Sequence, residues 1–198
     1  MRGEALLDLI NRPDITRIAR RLGRYTIESG NEGGFAAYRH SDNGIIVSEL
    51  LQPQCAPANR GNPVETLNMD ALLTDSTGQG RSDVSLVVHS HPEVHNAYSF
   101  IQSAGDLLLY KHVEEGSPGH VAGILQQGFE NPDLRLKLYQ ANEAYDPSGI
   151  TTTAEMMKYA TNIQSWREFI EHVGISTSIV TFNNTGWDIH ERSNSLFA

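Results

Sequence analysis

Apolar residues along the chain follow two spacings, which predict helices and strands in a definite order. Between Ala5 and Leu22 they recur three and four positions apart, as on one face of a helix. Pro13 divides this stretch into two short helices, with Asn11 as the expected cap between them and Gly23 as the expected stop. Later segments are continuously apolar or alternate with polar positions, which is typical of β-strands. The predicted strands cover residues 35–38, 45–51, 84–91, 120–126, 134–140 and 175–182.

Further helices are predicted between and after these strands. The range 103–113 begins with a Ser-x-x-Asp pair that suits a helix N-terminus. The threonines at 151–153 can cap a helix over 154–172, and a short helix fits 64–73. Helices and strands therefore alternate. This order predicts an α/β fold in which a mixed β-sheet is sandwiched by helices.

Length and charge narrow the class of protein. The chain has 198 residues, enough for one domain with a sizeable core. We expect residues 1–146 to form the main body of that domain and residues 147–198 to form a C-terminal extension packed on it. The formal net charge is -9 and the pI is about 5.3. Because phosphate recognition relies on Lys and Arg, this balance predicts no nucleic-acid partner.

The number of cysteines and the lack of long apolar runs indicate where in the cell the protein is located. Cys55 is the only cysteine, so neither an intramolecular disulfide nor a cysteine-rich zinc site can form. No apolar run approaches the ~20 residues that span a bilayer, and acidic residues interrupt the N-terminus where a signal peptide would be apolar. We expect a cytoplasmic protein with no membrane partner.

The residues with the most distinctive chemistry follow the apolar run 84–88. His89 and His91 are two positions apart, so at the end of a strand both imidazoles can point to one side. Ser103 and Asp106 are three positions apart and share one face of a helix's first turn. Two imidazoles and one carboxylate, with one position open, are typical of a catalytic zinc site.

This pattern resembles the motif of the JAMM zinc metalloproteases, also called the MPN+ or JAB family, and in particular their prokaryotic members. The matching segments are the His-Ser-His-Pro of 89–92 and the Ser-Ala-Gly-Asp of 103–106, within a region of resemblance from about 28 to 140. The resemblance implies an MPN/JAB fold with layering like that of the cytidine deaminases. It also implies a Zn²⁺ ion held by His89, His91 and Asp106.

In the resembled family a glutamate acts as general base on the water at the metal, and the motif serine stabilises the oxyanion. Ser103 takes the serine's place here. Glu32, beside two glycines, is the predicted base, although its spacing to the glycine is one residue short of the family pattern. Glu28 and Glu49 are the alternatives.

The spacer between the histidines and the serine also departs from the family pattern. Eleven residues separate His91 from Ser103 where seven are common, which predicts an inserted loop. At the common spacing the serine would be Ser99, and Gln102 would stand in the position of the carboxylate. A neutral amide is a poor zinc ligand, so the register with Ser103 and Asp106 is preferred. His95, in the insertion, is a further candidate for contact with substrate or metal.

By resemblance, the expected activity is zinc-dependent hydrolysis of a peptide or isopeptide bond. The substrate would be a protein or peptide, with a ubiquitin-like conjugate as one candidate, and a homodimer or an operon-encoded protein as a further partner. Two alternatives stay open. One is a hydrolase of a peptide or small-molecule conjugate, and the other is a non-catalytic MPN-like binding scaffold. Taken singly, His-x-His could also be a pair of buried hydrogen-bonded histidines, and Ser-x-x-Asp only a capping box.

Overall fold

One mixed β-sheet organises the part of the chain that the structure describes. The structure is a computed structural model, and it describes residues 3–40, 42, 44–53, 67–74, 80–91, 102–127, 134–183 and 185–193. Within these residues seven strands form the sheet. They are β1 (Gly34–Arg39), β2 (Ile45–Val47), β3 (Val84–Ser90), β4 (Val121–Gln127), β5 (Leu134–Ala141), β6 (Ile175–Phe182) and β7 (Trp187–Ser193).

The strands lie in the order β2-β1-β3-β4-β5-β6-β7. β3 and β4 are parallel, and the other neighbouring pairs among the described strands are antiparallel. Parallel neighbours need a crossover connection, and helix α4 (Ala104–Gly116) provides it. The predicted α/β class with a mixed sheet is confirmed.

Helices lie on both faces of this sheet. The other helices are α1 (Gly3–Ile10), α2 (Pro13–Ser29), α3 (Asp70–Leu73), α5 (Thr153–Met156) and α6 (Ile163–His172). Apolar residues of α1 and α2 pack with Leu86 and Val88 on one face, and those of α4 and α6 pack with Ile124 and Tyr139 on the other. None of the helices within the described residues has the length and apolar character needed to cross a membrane.

β3 is buried along its whole length, which explains its continuous apolar run. All seven of its residues are buried. Leu86 and Val88 face the core under α1 and α2, whereas Val87 packs with Met69 and Leu72 around α3. A strand enclosed on both faces is rigid, so the residues at its end are well positioned to carry a site.

Helix α2 continues beyond the predicted stop at Gly23, so that prediction is wrong. The helix ends at Ser29 and is closed by Gly30 in the left-handed conformation, with φ of 70°. At Gly23 an added Cβ would lie 2.6 Å from Gln127 and 2.7 Å from Leu134. The glycine therefore permits close packing of α2 on the sheet. Asn11 is not the cap of α2 either, since its side-chain oxygen accepts from the N–H of Trp187 at 2.8 Å.

The structure differs from the sequence prediction at two further points in the C-terminal region. The single helix over 154–172 is divided into α5 and α6, because Asn162 starts a new helix by accepting from the N–H of Ser165 at 2.9 Å. Strand β7 escaped prediction because its sequence, WDIHERS, is mostly polar. β6 and β7 extend the sheet beyond β5, so residues after 147 contribute both strands and the helix α6 to the layers around the sheet.

Candidate metal centre

The C-terminal end of β3 carries the two predicted histidines. The backbone of His89 lies between Gly34 of β1 and Ile124 of β4. His91 follows the strand, and its N–H donates to the carbonyl of Leu125 at 3.1 Å, which keeps it in line with the sheet. As a result, the two Nε2 atoms lie 3.0 Å apart.

Asp106 reaches the histidines from the first turn of α4. Its Oδ1 lies 3.0 Å from Nε2 of His89, and its Oδ2 lies 3.6 Å from Nε2 of His91. A reciprocal capping box fixes the carboxylate: Asp106 accepts from the N–H of Ser103 at 2.6 Å, and the Asp106 N–H donates to Ser103 Oγ at 3.1 Å. One local motif thus caps the helix and aims its carboxylate at the end of β3.

The donor set of His89, His91 and Asp106 fits a metal ion. One ligand atom from each residue lies within 4.8 Å of the others, and the group is largely buried. In a tetrahedral zinc site with bonds of about 2.0–2.1 Å, neighbouring ligand atoms lie about 3.3 Å apart. The two Nε2 atoms lie 3.0 Å apart, His89 Nε2 lies 3.0 Å from Asp106 Oδ1 and His91 Nε2 lies 3.6 Å from Asp106 Oδ2, so the distances lie on either side of that value, with the two histidines nearest to different oxygens of the carboxylate. Two imidazoles and a carboxylate are also donor types that zinc accepts.

Opposite charges shift the pKa values of this group. Burial alone lowers the pKa of His89, but the carboxylates of Asp106 and Glu32 outweigh it, so the His89 pKa lies above its ordinary value. Burial raises the pKa of Asp106, and the attraction of the two histidines outweighs that effect and holds the pKa well below its usual range. Metal ligands must be neutral imidazoles and an ionised carboxylate, so Asp106 is already in the required state.

Glu32 lies in the turn between α2 and β1, near enough to His89 and Asp106 to interact with them electrostatically. Burial raises the pKa of its carboxyl group above the ordinary value, while attraction to His89 lowers it and repulsion from Asp106 raises it. The backbone N–H of Leu67 also donates to it. Of the alternatives, Glu28 is exposed in the last turn of α2 and Glu49 is exposed beyond β2. The predicted general base is therefore the one that the structure brings to His89.

The glycines after Glu32 serve packing within the protein. A Cβ at Gly34 would lie 2.7 Å from the sulfur of Met69 and 3.0 Å from the carbonyl oxygen of Val88. A Cβ at Gly33 would lie 2.8 Å from Leu22. Side-chain and backbone atoms of the protein therefore occupy the space beside these glycines.

Ser90 is a site residue that sequence reasoning missed. It lies between the two histidines, so its side chain points to the opposite face of the sheet. There its Oγ accepts from Thr26 Oγ1 at 2.5 Å and from the N–H of Gly33 at 3.0 Å, and the Ser90 N–H donates to the Gly33 carbonyl at 2.9 Å. These bonds tie the turn that carries Glu32 to β3. Side chains alternate between the two faces of a strand, so the order His-Ser-His already indicates that Ser90 points away from the two histidines.

Ser103 is exposed at the start of α4. Its hydroxyl oxygen accepts from Asp106, which leaves its single hydroxyl hydrogen for donation. The side chain is therefore a helix cap that can still donate one hydrogen bond. Its predicted role on the oxyanion stays a prediction.

Several sequence predictions lie elsewhere. His95, Ser99 and Cys55, and the inserted loop over 92–101, lie outside the described residues. His120 is fully buried, and its Nδ1 lies 2.8 Å from Glu114. It precedes β4, so it lies at the end of the sheet opposite to His89.

Comparisons with known proteins give no independent assignment. No protein-family model matches the chain, and neither a curated protein nor a solved structure matches it. The geometry of the site is therefore the basis for any functional conclusion.

Proposed function

We propose that this chain is a zinc-dependent hydrolase of the JAMM type, which cleaves a peptide or isopeptide bond. One observation carries the proposal: His89, His91 and Asp106 place their ligand atoms within 4.8 Å of one another, and the carboxyl group of Glu32 is near enough to interact electrostatically with His89 and Asp106. A buried ion pair alone would need only one histidine and the aspartate. The second imidazole and a second, half-buried carboxyl group favour a reactive centre.

Zinc, when bound, supplies a Lewis acid that lowers the pKa of water from ~15.7 to about 7. Side chains of the protein carry out proton transfer and stabilise the oxyanion. Glu32 accepts a proton from the attacking water and returns it to the departing amine, a task for which burial, by raising its pKa, suits it. Ser103 donates its hydroxyl hydrogen to the oxyanion that develops on the scissile carbonyl. The capping box with Asp106 holds that hydroxyl in place.

The substrate class is a polypeptide. A conjugate to a ubiquitin-like modifier is the more specific candidate, and a second copy of the chain or an operon-encoded protein is the candidate partner. The main competing function is a non-catalytic scaffold of the same family, which would have no use for a general base. The presence of Glu32 within electrostatic reach of the metal ligands supports the enzyme.

The test combines metal analysis with a cleavage assay. We expect purified protein, dialysed against zinc, to hold about one zinc per chain by elemental analysis. His89→Ala should lose that zinc, whereas His112→Ala, which removes an exposed histidine from α4, should keep it. Zinc-loaded protein should cleave members of a panel of quenched peptides and isopeptide-linked conjugates. Zinc binding with no cleavage of any member would favour the scaffold, and zinc retained by His89→Ala would overturn the metal site.

A further inference from the structure

Four arginines form one exposed row along helix α2, which we call the arginine stripe. They are Arg17, Arg20, Arg21 and Arg24, spaced i, i+3, i+4 and i+7, and all four are exposed. With 3.6 residues per turn, these positions fill an arc of about 100° on the helix surface. The opposite side of the helix carries its buried residues: Ile15, Ile18, Ala19, Leu22, Gly23 and Thr26. The stripe therefore lies at the centre of the solvent face of α2.

The positive charges of the stripe have no carboxylate partners. The segment 15–27 contains no Asp or Glu. Within the described part of the chain, three of the four arginines make no ion pair and no side-chain hydrogen bond. The fourth, Arg20, lies over the ring of Phe182 at 4.3 Å from the ring centroid, a contact that leaves its charge in place. Like charges three and four positions apart destabilise a helix, and an anionic partner would relieve that repulsion.

Carboxylates limit the stripe at both ends. Glu28 is exposed on the same face, one turn after Arg24. Asp14 lies about one turn before Arg17 and pairs with Arg12 at 2.8 Å. Between them the stripe is about 10 Å long, at 1.5 Å per residue. A long nucleic acid or a flat anionic membrane would extend past these ends and meet the negative charge of a chain whose formal net charge is -9. A short acidic segment fits better.

The spacing of the arginines matches the surface of a second helix. A helix with Asp or Glu at i, i+3, i+4 and i+7 would present its carboxylates in the same pattern, and guanidinium groups bind carboxylates through paired hydrogen bonds. We propose that the arginine stripe binds a short acidic helical segment of a partner protein. This inference is independent of the proposed hydrolase, because α2 packs on the face of the sheet opposite to α4, which carries Asp106.

A binding titration on the intact chain tests the stripe without catalysis. The probe is an alanine-based helical peptide of about 15 residues with a neutral fluorescent label and four glutamates at the spacing of the arginines. The control peptide has glutamines in their place. At about 0.15 M NaCl we expect fluorescence anisotropy to give a Kd on the order of 10–100 μM for the acidic peptide, and at least tenfold weaker binding of the control peptide.

Two double variants of equal net charge locate the binding site. Arg17→Gln/Arg21→Gln removes two charges from the stripe, and Lys158→Gln/Arg167→Gln removes two exposed charges before and on α6, across the sheet. The stripe variant should bind the acidic peptide at least tenfold more weakly, and the control variant should stay within about twofold of wild type. Glutamine is a good helix former and removes the repulsion, so the stripe variant should melt at or above the wild-type temperature. Equal losses in both variants would overturn the proposal.

Other anions and self-association are measured with the same variants. The further probes are single-stranded oligothymidine of about 15 nucleotides and phosphatidylcholine vesicles with about one quarter phosphatidylserine. Stripe-dependent binding of either probe, tighter than that of the acidic peptide, would overturn the assignment to a protein partner. A dimer of the wild type in sedimentation velocity that the stripe variant lacks would make a second copy of the chain the occupant and would also overturn it. No saturable binding of the acidic peptide would leave the stripe as a solvated helix face.

Discussion

Ser103 and Asp106 hold each other through two reciprocal hydrogen bonds, of 2.6 Å and 3.1 Å, while the same Asp106 carboxylate lies 3.0 Å from His89. One carboxylate therefore caps α4 and would have a second task as a ligand if a metal ion binds. The two tasks can be separated because an amide can accept a capping hydrogen bond but is a poor zinc ligand.

Asp106→Asn and Asp106→Ala form the pair of variants that separates them. Both should lose zinc, by at least a hundredfold in affinity, in a competition titration with a chromophoric chelator. Only the alanine variant should also lose the hydrogen bond from the Ser103 N–H to the side chain at 106, and it should be about 1 kcal/mol less stable than the asparagine variant in urea unfolding of metal-free protein. Equal stabilities of the two variants would show that the capping bond contributes nothing.

Glu32→Gln tests the general base. The change keeps size and hydrogen-bonding capacity but removes the proton-accepting carboxylate, so zinc content should stay at the wild-type level while kcat/KM falls by ~10²–10⁴-fold. Glu28→Gln and Glu49→Gln are matched controls, since both side chains are exposed. Their kcat/KM should stay within about threefold of wild type. Loss of activity in one of these controls, with Glu32→Gln still active, would move the role of base to that residue.

Stability against pH should differ between the metal-free and zinc-loaded forms. In metal-free protein the pKa of His89 is higher in the folded state than in the unfolded chain, where it is about 6.5. The stability that this difference contributes is fully present below about pH 6.5 and is lost as pH rises through the folded pKa. The lowered pKa of Asp106 adds stability that is present above its unfolded value of about 3.9 and is lost as pH falls towards the folded pKa. His89 and Asp106 therefore stabilise the folded metal-free protein most between about pH 3.9 and pH 6.5, the pKa values of the two groups in the unfolded chain.

With zinc bound, stability should change with pH in the opposite direction between about pH 5 and pH 7. Zinc needs neutral imidazoles, so protons compete with it and zinc-dependent stabilisation should grow as pH rises from about 5 to 7. Melting temperatures across this range, with and without excess zinc, give both curves. Parallel curves would show that His89 is not a ligand.

Gly34→Ala tests the packing behind the site. The added Cβ would lie 2.7 Å from the sulfur of Met69 and 3.0 Å from the backbone oxygen of Val88, so either β1 or the residues around Met69 must shift. Overpacking of this kind costs about 1–3 kcal/mol in the free energy of unfolding. Gly80→Ala is the control, because nothing lies within 4 Å of its Cβ. The two stabilities can be compared by urea unfolding.

Parts of this fold and site were predictable from the sequence because local chemistry determines them. The apolar run of β3 and the Ser103–Asp106 cap are decided within a few residues, and both agree with the structure. The extent of α2 was not predictable, since Gly23 ends no helix and instead lets α2 approach β4 and β5. Asn11 likewise bonds to Trp187, 176 positions away. Contacts at such separation leave no periodic signal.

The residues of the candidate site also divide into those that local sequence predicts and those that depend on distant contacts. His89, His91 and Asp106 come from one short stretch and are brought together as the sequence pattern suggested. Gln102 was considered only as a poor metal ligand, because nothing local indicates that its amide is buried against residues of β5 and α6. The two-residue period indicates the direction of the Ser90 side chain, but its partner Thr26 lies 64 positions away and could not be predicted from local sequence.

The single parallel pair among the described strands has a consequence for assembly. β3, the crossover helix α4 and β4 form one continuous segment, residues 84–127, and it contains all three candidate ligands. A metal ion would therefore close a short loop within one folding unit rather than join distant parts of the chain, and the ordering entropy it must overcome is correspondingly small. On this basis we expect metal removal to loosen the contact of α4 with the end of β3 before the outer strands β6 and β7.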